Sequence, residues 1–310
     1  MQYRLVGNTM PAVEVLFDSP GESMYTQSGG MAWMTEGIRM DTNTKGGLLK
    51  GVGRMFTGES MFMATYTATK AGAEIAFAST VAGEVLPINI GETGGFICQK
   101  GAFLCAEPSI ELSVAFTKRF SSGFFGGEGF ILQDITGTGM VFLEIDGDKV
   151  IKELAPGEVL KVDTGNVVGF EKTVSYEIET VKGLKNIFLG GEGLFNLSLT
   201  GQGIAVLESP VPREELLEIE VQNDTVKIDG NMAIAWSSSL QFTVEKSSKS
   251  LMGSAINGEG FVNVYRGTGK ILLAPTINGT TMSSANGPKE SSTISSKGLV
   301  SSVVKSALDL

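Results

Sequence analysis

Residues 191–209 read GEGLFNLSLTGQGIAVLES, and this stretch decides the fold class. After Leu194 the residues alternate: Asn196, Ser198 and Thr200 fall on one face, Phe195, Leu197 and Leu199 on the other. A period of two is the signature of a half-buried β-strand. Gly201-Gln202-Gly203 interrupts the alternation, and a second apolar run, IAVLES, follows. Gly-Glu-Gly before the first run reads as a tight turn or bulge, because glycine reaches positive φ without a Cβ clash.

The same arrangement recurs along the chain. Gly58-Glu59-Ser60, Gly127-Glu128-Gly129, Gly191-Glu192-Gly193 and Gly258-Glu259-Gly260 follow one another at spacings of 69, 64 and 67 residues. Each precedes an apolar run: MFMATYTA, FILQDIT, LFNLSLT and FVNVYRG. Gly137-Thr138-Gly139, Gly201-Gln202-Gly203 and Gly267-Thr268-Gly269 then lead into MVFLEI, IAVLES and ILLAP. Upstream, Pro20-Gly21-Glu22 matches Pro156-Gly157-Glu158, with Ala82-Gly83-Glu84 between them. GGMAWM, GNVVGF and GNMAIAW read as one strand written three times. LLEIEVQ sets Leu217, Ile219 and Val221 against Glu218 and Glu220, again with period two. A repeat of roughly 65 residues is longer than a solenoid coil and suits a small β-sandwich duplicated in tandem.

The expected architecture is therefore all-β. Tandem β-sandwich repeats are expected at 1–80, 81–149, 150–210 and, more divergent, 211–275, in one pseudo-symmetric body. From Thr276 the sequence turns Ser/Thr/Asn/Gly-rich and reads as a flexible tail, 276–310, ending in LVSSVVKSALDL, a stretch able to form a short helix.

Composition excludes several functions. The 310 residues include no histidine, which removes Ser-His-Asp and Cys-His catalysis, His-ligated zinc and a histidine pH switch. The net charge of −10 argues against nucleic acid as a partner. No basic-then-apolar leader opens the chain and no apolar run approaches eighteen residues, so a cytoplasmic protein is expected. Cys98 and Cys105, in CQKGAFLC, read as small apolar packing residues with free thiols. GTGKI at 267–271 lacks the hydroxyl residue and helix of a phosphate loop, and GGLLKGVGR at 46–54 lacks the full dinucleotide fingerprint. The acidic pairs Asp146/Asp148, Glu177/Glu179, Glu214/Glu215 and Glu218/Glu220 read as solvated outer faces rather than converging catalytic carboxylates. The recurring Glu59, Glu128, Glu192 and Glu259 are expected to hydrogen-bond their own turns. No enzyme activity, cofactor or metal is expected.

Two distributions point to a surface. Nine of the 13 methionines lie within the first 63 residues, which suits either core filling or an adaptable apolar contact face. Before each Gly-Glu mark stands a cationic, apolar segment: Lys45, Lys50 and Arg54; Lys118 and Arg119 with Phe124 and Phe125; Lys182 and Lys185; Lys246 and Lys249. They hold nine of the 24 basic residues, at one locus of the repeat. Equivalent loops of symmetric units share one end of an assembly, which would give an acidic protein one basic face.

The strings GGMAWMTEGIRMDTNTKGGLL, TGESMFMATYTA, FICQKGAFLCAEPSIELSVAFTKRF, GFFGGEGFILQDITGTGMVFLEI, PGEVLKVDTGNVVGFE and VKGLKNIFLGGEGLF cover roughly residues 1–208. Together they resemble the Aim-type (altered inheritance of mitochondria) family of conserved bacterial proteins, related to a fungal mitochondrial inner-membrane biogenesis protein. The resemblance implies tandem β-sandwich units like those of the tryptophan RNA-binding attenuator protein, and homo-oligomers, with trimers as the expectation. Residues 211–275 resemble an added copy of the unit. The family's biochemical role is not established, so it carries over no site residues, and no RNA or tryptophan site matches. The expectation is a non-enzymatic oligomeric scaffold at an anionic membrane surface or on membrane-associated complexes. The alternative is a small-ligand module with its site between units.

Overall fold

The structure, a computed structural model, describes residues 1–27, 29–43, 63–118, 129–180, 195–230, 232–246 and 261–276. They form strands almost throughout, so the chain is all-β. The chain from Met1 to Ile277 makes one body. The expected tail and terminal helix lie outside the described residues.

The strands fall into four successive sets with the same pairings. A leading strand, β1 (Gln2–Val6), pairs with the first strand of set one. Set one is β2 (Ala12–Phe17), β3 (Ser23–Gln27), β4 (Met31–Met34), β5 (Ile38–Asn43), β6 (Met63–Ala68) and β7 (Ala73–Ala78). Set two is β8 (Gly83–Asn89), β9 (Phe96–Gln99), β10 (Phe103–Ala106), β11 (Ile110–Lys118), β12 (Phe130–Gly137) and β13 (Met140–Asp146). In set three, β14 (Asp148–Asp163) and β17 (Phe195–Ser209) each do the work of two strands, flanking β15 (Val167–Glu171) and β16 (Val174–Thr180). Set four repeats this with β18 (Leu217–Asp229), β19 (Ala233–Ser237), β20 (Gln241–Lys246) and β21 (Phe261–Leu273). The long strands β14 and β18 slip register midway, between Leu154 and Glu158 and between Val221 and Asp224. Such slips bend a strand, so that its two halves take the first and the second place of the set.

Within every set, the first strand pairs with the sixth and the second with the fifth. The fourth pairs with the fifth as an antiparallel hairpin. The third pairs with the sixth, always with a register slip after its first residue: Met31/Trp33, Phe103/Cys105, Val167/Gly169 and Ala233/Ala235. MAWM, VVGF and AIAW thus occupy one and the same pairing position. Successive sets are stitched by one further rule. The second strand of a set pairs with the third strand of the next: β3 with β10, β9 with β15, β14 with β19. The result is a four-stranded, a six-stranded and an eleven-stranded sheet among the described residues.

Apolar side chains bury between these sheets in four clusters. The largest, around Phe130, Leu132, Phe170, Leu197, Leu207 and Ile234, draws on sets two, three and four together. A smaller one, around Trp236, Tyr265 and Ile271, belongs to set four alone. One sequence expectation is corrected here. In β17 not only Leu197 and Leu199 but also Asn196 and Ser198 are buried. This strand is paired along both edges, with β14 on one side and β15 or β16 on the other, and over Asn196–Leu199 both of its faces are covered.

The joints between sets also repeat. Thr80 N–H donates to Glu144 Oε2 at 2.6 Å, and Asp146 N–H donates to Glu208 Oε2 at 3.2 Å. Lys149 N–H donates to Glu84 Oε1 at 3.1 Å, and Arg213 N–H donates to Asp148 Oδ2 at 2.6 Å. In each pair the second bond lies one set further along the chain than the first. Gly147, at φ 85°, turns the chain from set two into set three, and a Cβ there would collide with the Ser209 carbonyl oxygen.

Candidate functional site

Strand register fixes where the basic segments leave the body. The hairpin β5–β6 opens at the pair Asn43 and Met63, and β11–β12 at Lys118 and Phe130. The hairpin β16–β17 opens at Thr180 and Phe195, and β20–β21 at Lys246 and Phe261. Beside each opening lies the C-terminal end of the second strand: Gln27, Gln99, Asp163 and Asp229. From there the chain turns within three residues into the third strand, for example through Lys100–Ala102 and Thr164–Asn166. The third strand begins beside the C-terminal end of the sixth, where the chain crosses to the next set. Antiparallel pairing therefore gathers four hairpin openings, four short turns and the crossings between sets at one end of the body.

Most of the residues singled out from sequence lie outside the described residues: Lys45, Lys50, Arg54, Gly58, Glu59, Arg119, Phe124, Phe125, Gly127, Glu128, Lys182, Lys185, Gly191, Glu192, Gly193, Lys249, Gly258, Glu259 and Gly260. Three are placed. Lys118 and Lys246 are the last residues of β11 and β20, at two of the openings. Gly129, at φ 85°, immediately precedes β12, so this turn residue does use glycine's freedom.

At the same end lies a pocket of about 400 Å³ that sequence reading did not find. Gln27 and Thr80 come to it from set one; Gln99, Lys100, Glu144 and Asp146 from set two; Glu208 from set three. Its carboxyls are not the solvated outer face expected for Asp146. Burial holds Asp146 above the usual carboxylate range. Burial, then the nearby Asp146 and Glu144 carboxyls, push Glu208 up to about 8, against the lowering effect of the Asp146 N–H bond. Glu208 is thus largely a neutral acid at pH 7, a proton donor among polar amides. Glu144 is held by the Thr80 N–H and by the Ser79 hydroxyl at 2.9 Å. Such a rim can hydrogen-bond a small polar molecule. Among the described residues no group of three or more Cys, Asp or Glu is placed to hold a metal ion.

The two cysteines sit deeper. Cys98 in β9 and Cys105 in β10 are fully buried and free, in different core clusters. Burial pushes Cys98 up to about 12 and Cys105 well above its ordinary value, so neither is a thiolate at neutral pH. No helix among the described residues is long and apolar enough to cross a membrane.

Comparison with known proteins finds a family, a relative and a solved structure. The family model described as Mitochondrial biogenesis AIM24 matches residues 3–209 and, a second time, residues 185–276. An uncharacterised protein of Streptococcus pyogenes serotype M6 is 28% identical over 207 residues, covering 64% of this chain and 81% of the relative. An X-ray structure of a Streptococcus pyogenes protein from a structural genomics programme superposes with a TM-score of 0.53 at 25% identity. The match covers 67% of this chain and 93% of that one.

Proposed function

The chain belongs to the Mitochondrial biogenesis AIM24 family, and from that premise we propose that it is a non-enzymatic, oligomeric scaffold whose hairpin-opening end works at an anionic membrane surface. The observation that carries this reading is the gathering of all four openings at one end, each bracketing a segment that carries Lys or Arg among apolar residues. A chain of net charge −10 is repelled by anionic lipid unless its cations are segregated. Each Lys or Arg near such a surface contributes about 1 kcal/mol, and apolar side chains entering the interface add to that. A family described by mitochondrial biogenesis, in an organelle bounded by membranes, fits a role at a membrane surface. Flotation with anionic vesicles tests the reading. Reversal of Lys118, Arg119, Lys182 and Lys185 to Glu is expected to abolish flotation of the wild-type protein. Unchanged flotation would mean that these segments do not touch the membrane, and wild-type protein that never floats would transfer the same end to a protein partner.

The pocket favours a second reading, a small polar ligand held between sets one, two and three. Native mass spectrometry of the purified protein tests it. An added small mass that disappears in Lys100→Ala supports a ligand, and the bare chain mass at neutral pH opposes one.

A further inference from the structure

The rule that stitches the sets together leaves two strands over. Three times, a second strand is covered along its outer edge by the third strand of the following set. The third strand of set one, β4, has no second strand of another set beside it among the described residues, and pairs there only with β7. The second half of β18 has no third strand of another set beside it among the described residues, and pairs there only with β21. Among the described residues the body therefore presents two complementary half-sheets, β2-β7-β4 and β20-β21-β18.

Both edges carry the chemistry of an occupied joint. The counterparts of β4 are buried at nearly every position, whereas β4 leaves Trp33 45% and Met34 40% exposed. The free half of β18, DTVKID at 224–229, follows the covered half of β14, EVLKVD at 158–163. Lys227 stands at the place of Lys161, Ile228 at that of Val162 and Asp229 at that of Asp163. Charged residues on a strand edge ordinarily discourage pairing. Here they do not, because β14 carries the same charges and is still paired with β19.

We propose that β4 of one copy of this chain adds to the free edge of β18 in a second copy, completing a sheet in the order β20-β21-β18-β4-β7-β2. The register follows from Val162 opposite Ala235 and Lys161 opposite Trp236. By the shared slip on the sixth strand, Trp33 and Met34 are the counterparts of Ala235 and Trp236. Ile228 then lies opposite the partner subunit's Trp33, and Lys227 opposite the partner subunit's Met34. Trp33 replaces the small residues Cys105, Gly169 and Ala235 at this position, and a tryptophan at a joint is a common anchor of interfaces. Two different edges meet, so the contact is head-to-tail and builds a ring or a filament. It rests on strand pairing alone and is independent of the membrane reading.

The test uses the full chain. Met34→Cys and Lys227→Cys, made as separate variants and mixed under mild oxidation, should give a cross-linked dimer, since paired residues hold their Cβ atoms within disulfide reach. Met34→Cys mixed with Thr225→Cys, two residues out of register, should not. Buried Cys98 and Cys105 stay out of the reaction. Light scattering should return a multiple of the chain mass for wild type and the single-chain mass for Trp33→Lys/Met34→Lys, whose circular dichroism should be unchanged because both side chains are exposed. A monomeric wild type overturns the proposal. So does a multimer without the register-specific cross-link, or a Met34→Cys/Lys227→Cys double variant whose cross-link closes within one chain.

Discussion

Glu208 couples the stability of the fold to pH. Its native value of about 8 stands above the ordinary 4.5, so between those values the folded chain holds a proton that the unfolded chain has released. The stability contributed by the neutral acid is complete below about pH 4.5 and is lost as pH rises towards 8. Glu208→Gln keeps the shape without the charge. Relative to wild type, it should gain on the order of 2–4 kcal/mol of stability between about pH 5 and pH 9, read by denaturant melts at both ends. A constant difference between the two proteins would mean that Glu208 ionises freely. Gly169 makes a separate demand. A Cβ there would meet the Phe96 ring, and would lie 2.5 Å from the Ile97 carbonyl oxygen and 3.0 Å from the Cys98 Cα. Gly169→Ala should cost about 1–3 kcal/mol, because backbone must move to admit the methyl; a neutral result would show that the β9–β15 joint has slack. Neither residue was legible as special in sequence. Gly169 is one glycine among 41, and Glu208 acquires its environment from Asp146 and Glu144, more than sixty residues away.

Elements were more legible than their surroundings. Period two in LLEIEVQ survives only in part in β18: Val221 is buried, Ile219 is half-buried and both glutamates are exposed, but Leu217, set on the apolar face, is exposed as well. In β17 the same pattern identified a strand but misjudged its polar face, since burial of Asn196 and Ser198 depends on neighbours that a local pattern does not contain. Truncating its apolar face should be costly: Leu197→Ala and Leu199→Ala, both at fully buried positions, are each expected to lose 2–5 kcal/mol in equilibrium unfolding. The hairpin openings make the opposite prediction. Thr180 and Phe195 are direct partners, so an Asn-Gly turn in place of residues 181–194 can close β16 onto β17. That variant should keep the strand circular dichroism and a melting temperature within a few degrees of wild type while weakening vesicle binding. Collapse of the fold would assign the segment to the core and not to the surface.

At the scale of the whole molecule, the all-β class and the family were open to a sequence reading, because alternation, glycine marks and long matching strings agree. The stitching of sets and the pocket were not. Joints form between strands far apart in the chain, and the pocket draws its walls from Gln27 through Glu208. The basic segments were visible as composition, whereas their common end is a consequence of strand direction and register. In the proposed function this end carries an acidic protein to anionic membranes. Flotation of the wild-type chain with neutral and with anionic vesicles, at low and at high salt, tests it most directly. The expected result is flotation with anionic vesicles only, lost as salt screens the contact. Equal flotation on neutral vesicles, or none under any condition, would contradict it.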